Sequence, residues 1–360
     1  MNKKISFPHM GNYYIPISYF IKKITKCDVV QPPPITKKTL ELGSRYSPDY
    51  ICVPFKYNLG NYIESLEKGA NILLQAGGGC RYGYYAELQE QILKDLNYNF
   101  EFINFIEENH VSIKKIYKFA KSLNPKLNII KYAYYGINTL LMIIFMDKLG
   151  NYPRENMGFE LKKDCFKKTE KEYLNTLKQK KQTPFSILKN YLKYKRIFKN
   201  IPTNKPKNCI KIGIIGELYS IMEPFCNNNI EITLAKYGIE VHRYTTLTYL
   251  LLKKKYNIKK LLKKGKKYLK YHLGADATES VVLSYLLAKK GYDGIIHLKS
   301  FGCTPEINAM SILEKINNEY NIPILYFSFD SGKSDVSMET RLEAFYDMLL
   351  MRKNKIKNKN

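Results

Sequence analysis

A rhythm constrains this chain more than any other feature. Short β-forming runs alternate with helix-length segments, and the alternation occurs twice. Strand signals at residues 4–7, 28–30, 50–53, 71–75 and 99–105 are separated by helix signals at 13–24, 36–42, 61–67 and 84–96. The rhythm resumes with strands at 209–215, 238–242, 293–298 and 322–327, and with helices near 224–237, 305–320 and 339–351. Strands joined by helical crossovers pair in parallel, and a parallel sheet needs helices on both faces. The expected fold class is therefore α/β, with two doubly wound parallel-sheet domains at 1–110 and 207–352. Residues 111–206 lack strand signals and read as a lysine-rich helical bridge, closing in the linker Ile201-Pro-Thr-Asn-Lys-Pro206. Residues 253–270 read as a helical insertion, and 353–360 as a polar, frayed tail.

The length, 360 residues at 45% hydrophobic, is ample for two cores. No uninterrupted apolar run reaches the ~18–20 residues of a membrane span. Leu140-Leu-Met-Ile-Ile-Phe-Met146 comes nearest and reads as a buried helix segment. The N-terminus lacks the long apolar run of a secretory signal, so a cytoplasmic location with no membrane contact is expected. The formal net charge of +27 raises nucleic acid as a partner. Only 7 of the 59 cations are Arg, the residue favoured for bidentate phosphate and base recognition, so that class is disfavoured. Abundant Lys, Ile, Asn and Tyr with no Trp fits a drift in codon composition instead.

Seven cysteines in a chain of this kind argue for metal binding or catalysis rather than a disulfide scaffold. Cys52, Cys80 and Cys303 share one address. Each falls at or after the end of an expected strand and before a helix, the edge where doubly wound sheets bind ligands. Helix N-termini there offer free N–H groups and partial positive charge, which favour thiolates and anionic clusters. Gly77-Gly-Gly79 lets the backbone approach closely beside Cys80, and Pro305 suits the first turn after Cys303. Thiolate ligands suit iron–sulfur clusters or zinc. The spacing is not that of a compact metal motif, and three unrelated cysteines remain an open alternative.

Other groups have two readings each. His297, on the strand leading to Cys303, is a proton donor or a satisfied core histidine; His9 is the same. Glu306, in the turn after Cys303, tunes the site, transfers protons, or satisfies orphan helix N–H groups. Arg81 offsets cluster charge or pins a phosphate. Glu217 ends a strand and can line the same cleft. Cys27, Cys165, Cys209 and Cys226 read as small hydrophobes or surface thiols. Ser331-Gly-Lys-Ser334 lacks the earlier Gly of a P-loop and is rejected.

Three stretches, Cys52-Val-Pro-Phe-Lys-Tyr-Asn-Leu-Gly60, Gly78-Gly-Cys-Arg-Tyr-Gly-Tyr-Tyr85 and Phe301-Gly-Cys-Thr-Pro-Glu306, join Gly216-Glu217 and Thr340-Arg-Leu-Glu-Ala-Phe-Tyr-Asp-Met-Leu349 in a wider pattern. Together they resemble the 2-hydroxyacyl-CoA dehydratase component family, most closely its D-component-like, activase-related branch. The resemblance covers residues 1–105 and 209–350. It implies flavodoxin-like domains and a [4Fe–4S] cluster on Cys52, Cys80 and Cys303; the reading of the residues themselves adds Gly79 and Arg81 beside it and Glu306 and His297 as candidate catalytic groups. It also implies an ATP-hydrolysing [4Fe–4S] activase as electron donor, an acyl-CoA as candidate ligand, homo- or heterodimeric assembly, and a setting in anaerobic metabolism. This single chain shows no second ligand set, and the run after Asp330 departs from the branch. Two alternatives stay open: an electron relay that transforms no substrate, and a basic binding protein without cofactor.

Overall fold

Parallel pairing is what the alternation demands, and both sheets of the computed structural model have it. The described residues are 2–77, 80–107, 110–179, 181–332 and 335–357. The chain divides into two units: Met1–Ile143 with Thr176–Leu188, and Ile144–Asn175 with Lys189–Asn360.

The first unit contains β1 (Lys4–Ser6), α1 (Tyr14–Thr25), β2 (Asp28–Val29), α2 (Lys37–Tyr46), α3 (Val53–Glu67), β3 (Ile72–Gln75), α4 (Tyr85–Asp95), β4 (Glu101–Asn104), the small hairpin β5 (Ile106–Glu107) and β6 (His110–Val111), and α5 (Ile113–Leu123). Its four-stranded sheet is parallel throughout, in the order β2-β1-β3-β4. The pleat of β3 divides the core. Ile72 and Leu74 join Ile5, Phe7 and Phe105 against Ile21 of α1 and Phe119 of α5. Leu73 faces the other way, onto Phe55, Leu59, Tyr62 and Ile63 of α3 and Leu93 of α4. Each such fully buried aliphatic side chain contributes about 1.5–3 kcal/mol.

The strand expected at 50–53 is absent. Cys52 is instead the N-cap of α3, in extended conformation at φ −65° and ψ 145°, with a proline in the first turn. Tyr-Ile-Cys-Val consists of good strand formers, but the 3.6-residue spacing of Phe55, Leu59, Tyr62 and Leu66 onto the core carries the helix back to residue 53. The helix expected at 36–42 runs on through Gly43 to Tyr46, and Gly43 lies inside α2, where α2 and α3 touch backbone to backbone. A Cβ on Gly43 would stand 1.7 Å from the Lys56 carbonyl oxygen, and one on Gly60 1.9 Å from that of Thr39.

The expected helical region holds α6 (Ile129–Asn156), α7 (Cys165–Leu177) and α8 (Pro184–Lys199), and the unit boundary falls within it. Among the described residues, α6 with the turn after it (Ile129–Phe159) is long and apolar enough to cross a membrane, by length and composition alone. The expectation that no segment would pass that test counted uninterrupted apolar runs. A long helix also gathers the Tyr, Gly and Ala residues that flank Leu140–Met146. Met142, Ile143, Phe145, Met146 and Leu149 are buried within the protein, as expected of that segment.

The second unit continues with β7 (Ile210–Gly216), α9 (Leu218–Met222), α10 (Ile230–Lys236), β8 (Ile239–Arg243), α11 (Leu247–Tyr249), α12 (Lys255–Lys264), α13 (Ala277–Lys289), β9 (Gly294–Ser300), α14 (Thr304–Tyr320), β10 (Ile324–Phe329) and α15 (Asp335–Lys357). Its sheet order is β8-β7-β9-β10, again parallel. Counted along each unit, both sheets read 2-1-3-4, the flavodoxin-like order, whose switch point lies between the first and third strands. On one face Ile215 and Ile295 meet Val281 and Leu287 of α13 and Leu313 and Ile316 of α14. On the other, Tyr237 at the end of α10 stacks on Tyr346 of α15, ring centroids 5.1 Å apart. α15 runs to Lys357, past residue 353 where composition suggested fraying. The Lys353 ammonium holds both Asp293 carboxylate oxygens at 2.8–2.9 Å and the Cys209 carbonyl at 2.8 Å.

Candidate functional site

Both switch points carry chemistry-bearing side chains at matching topological positions. In the first unit, Cys52 caps the helix that leads into the third strand, and Cys80 follows that strand. In the second unit, Asp276 is the N-cap of α13, which leads into the third strand, and Cys303 follows that strand as the N-cap of α14. Cys80 and Cys303 are thus counterparts, and Asp276 stands where the first unit has Cys52.

In the first unit, the Cys52 Sγ and the Tyr85 hydroxyl are 3.3 Å apart, within hydrogen-bonding distance. The Tyr85 ring meets Phe55 edge-on at 5.0 Å. Tyr85 opens α4, the helix that begins a single 3-10 turn (Arg81–Tyr84) after Cys80, so Cys52 and the Cys80 segment share one end of the sheet. Cys80 is exposed and Cys52 half-buried. Gly79 lies outside the described residues, as does the side chain of Arg81. His9, just past β1, is buried, stacks on Tyr14 at 5.5 Å and donates its backbone N–H to Asn61 Oδ1 at 2.9 Å.

In the second unit, Gly216 ends β7 at φ +128°, where a Cβ would stand 1.9 Å from the Leu298 carbonyl oxygen. Only Gly allows that approach, and it turns the chain so that Glu217 caps α9. The Glu217 carboxylate accepts from the N–H groups of Tyr219 (2.8 Å) and Ser220 (2.9 Å) and from the Ser220 hydroxyl (2.6 Å). Burial pushes this carboxyl up to about 7; the Ser220 and Tyr219 bonds pull against that, and the Asp276 charge adds to it. Asp276 accepts from the Leu218 N–H at 3.1 Å.

The Cys303 thiol was expected to be acidified by the start of α14. The direction is opposite. Burial raises it first, then the Glu217 carboxylate; the Glu306 backbone N–H lowers it, and the charges of Glu306 and Asp276 raise it again. A partial helix charge cannot offset desolvation together with three nearby carboxylates. A bound metal cation would invert that balance, because a coordinating thiol is deprotonated outright.

Glu306 and His297 are both 0% exposed. The Glu306 carboxylate accepts from Ser280 Oγ at 3.1 Å and lies 2.7 Å from His297 Nε2. A carboxylate only accepts, so Nε2 carries the proton and Nδ1 is left as a lone pair, for which no partner is present among the described residues. The triad ties the first turn of α14 to β9 and α13.

Asp276 and Ser280 were not singled out from the sequence. The signal was there in part: Asp276-Ala-Thr-Glu279 before an apolar run has the spacing of a helix start. Nothing local indicated that the cap would face Cys303.

The thiol donors fit an iron–sulfur group. None of the seven cysteines is in a disulfide, and the three candidates stand at or just before helix starts. Within either unit, the described residues include no group of three His, Cys, Asp or Glu side chains arranged to hold a metal ion.

Residues 267–349 match the family model described as 2-hydroxyglutaryl-CoA dehydratase, D-component. The match takes in α13, β9, α14 and β10, and so Asp276, Ser280, His297, Cys303 and Glu306. A search of curated proteins returned no match. Over residues 267–349, then, the chain is similar to the 2-hydroxyglutaryl-CoA dehydratase D-component family, the likeness its motifs implied.

Proposed function

We propose that this protein is a [4Fe–4S] redox protein whose cluster is held by Cys52, Cys80 and Cys303 and reduced by an ATP-hydrolysing activase, working in the cytoplasm as a homo- or heterodimer. The observation that carries this reading is the shared topological position of Cys80 and Cys303, one after the third strand of each sheet, with Cys303 inside the family-matched segment. When bound, such a cluster supplies one-electron transfer. The chain's own contribution is to hold the thiols at helix starts and to keep the base of Cys303 dry. The Ser280–Glu306–His297 triad fixes the first turn of α14. Gly79 and Arg81, beside Cys80, would accommodate cluster charge or an acyl-CoA phosphate.

Two outcomes of that redox role remain, reduction of a 2-hydroxyacyl-CoA or relay of the electron onward. The full enclosure of Glu306 and His297 favours the relay, because neither is positioned to exchange a proton with a bound substrate. Anaerobic protein with activase, ATP and a low-potential reductant, assayed on 2-hydroxyacyl-CoAs, separates them: electron uptake without dehydrated product supports the relay.

Iron, sulfide and EPR analysis of air-free protein tests the proposal itself, with Cys52→Ala, Cys80→Ala and Cys303→Ala alongside. The expected result is one cluster per chain, with its signal lost in each variant. Colourless, iron-free protein that binds nucleic acid steeply with falling salt would return the chain to the cofactor-free class.

A further inference from the structure

The start of α6 carries a surface that the redox reading does not use. One face of residues 129–143 is docked: the Tyr132 ring packs on Phe20 of α1 at 5.7 Å, and Asn138 Nδ2 donates to the Gln182 carbonyl at 3.0 Å and the Tyr19 hydroxyl at 3.1 Å. The opposite face is also apolar. Ile130, Tyr134 and Ile137 follow one another at i, i+4 and i+7, and Ile130 is 75% and Ile137 54% exposed. Ile113, Ile129 and Phe185 are exposed too; Tyr132 donates its hydroxyl to the Ile113 carbonyl at 3.3 Å, and Phe185 lies three residues from Gln182. A helix apolar all round is ordinarily buried all round.

Charge indicates what covers it. From His110 to Met146 there is no Asp or Glu, while Lys114, Lys115, Lys118, Lys121, Lys126 and Lys131 are all present. Lys115 caps the Ile106 carbonyl, and Lys121 the carbonyls of Pro125 and Leu127. Lys114, Lys118, Lys126 and Lys131 are exposed. Among the described residues, Glu107 is an acid that the charges of Lys115, Lys114 and Lys118 reach. A second copy would set lysines against lysines. Nucleic acid would leave the isoleucines without apolar partners.

We propose that this face binds an anionic lipid surface peripherally, the isoleucines and Phe185 entering the headgroup–acyl boundary and the lysines pairing with lipid phosphates. The exposed aliphatic and basic residues on one acid-free stretch carry this assignment. It stands independently of the cluster.

The test is co-sedimentation of the full chain with vesicles of phosphatidylcholine alone or mixed with phosphatidylglycerol. Binding is expected only to the mixed vesicles, released by salt. Ile130→Asp with Ile137→Asp should weaken it at least about tenfold, and Lys126→Ala with Lys131→Ala about fivefold or more. Both pairs are exposed, so unchanged circular dichroism and melting should accompany the loss. Absence of binding, equal binding to neutral vesicles, or wild-type binding by the Ile variants would overturn the proposal. Salt-sensitive capture by polyglutamate with no vesicle binding would assign the face to an acidic protein instead.

Discussion

Replacing Glu306 tests how firmly the start of α14 is anchored. The carboxylate serves two donors where water does not reach, His297 Nε2 at 2.7 Å and Ser280 Oγ at 3.1 Å. Glu306→Ala removes both acceptors. Ser280 can rotate its hydroxyl to the carbonyl one turn back in α13 and lose little. His297 cannot move from mid-strand and keeps a buried, unpaired N–H, which costs about 1–3 kcal/mol. The side-chain volume lost beneath α14 adds about 1–2 kcal/mol, so a total of about 2–5 kcal/mol is expected. Glu306→Gln should cost less, about 0.5–1.5 kcal/mol. Its amide oxygen can still accept from His297 Nε2 and its nitrogen donate to Ser280 Oγ, with the Ser280 hydroxyl turned to the carbonyl one turn back. Urea unfolding at neutral pH reads both variants through the midpoint at constant slope. If Glu306→Ala unfolds within about 0.5 kcal/mol of wild type, the triad is not buried and satisfied as described, and its anchoring role is wrong.

Two further predictions concern stability. Burial works to raise the Glu240 carboxyl, but bonds from Lys205, His242 and Cys209, with the charge of Lys205, outweigh it and hold the group down at about 2. A folded-state value below the unfolded one means the stabilisation is complete above the ordinary carboxylate range and is lost as pH falls toward 2. Wild type should therefore exceed Glu240→Gln by roughly 2–3 kcal/mol at pH 7, with the gap closing on acidification; a constant gap from pH 7 to 3 contradicts the assignment. Gly43→Ala would drive a methyl into the Lys56 carbonyl and force α2 from α3, at about 3 kcal/mol or more; a melting temperature like wild type's would mean that the helices do not touch there.

Much of the fold was legible because its signals are local. Short β-forming runs marked each strand of the two four-stranded sheets to within a few residues, and helix signals supplied most of their crossovers, though α13, between β8 and β9, was not among them. Two doubly wound halves follow from that alternation and the covering rule for parallel sheets. The misplaced strand at Tyr50–Val53 arose where local propensity and the start of a buried helix face competed; packing of Phe55 and Leu59 decided it. The last turns of α15 looked frayed because a run of Lys and Asn gives no sign that Lys353 will find Asp293.

The cysteines divide the same way. Their motifs and strand-end positions can be read along the chain, and so can the family likeness. Tertiary structure decided that burial first, and then Glu217, Glu306 and Asp276 from three separate helix starts, raise the Cys303 thiol, where a helix terminus alone would have lowered it. It likewise made Glu306 and His297 a sealed pair rather than solvent-facing acid–base groups. Secondary structure depends on neighbours a few residues away, which a sequence displays. The charge state of a side chain depends on every group within a few ångströms and on the exclusion of water, and only the folded chain brings those together.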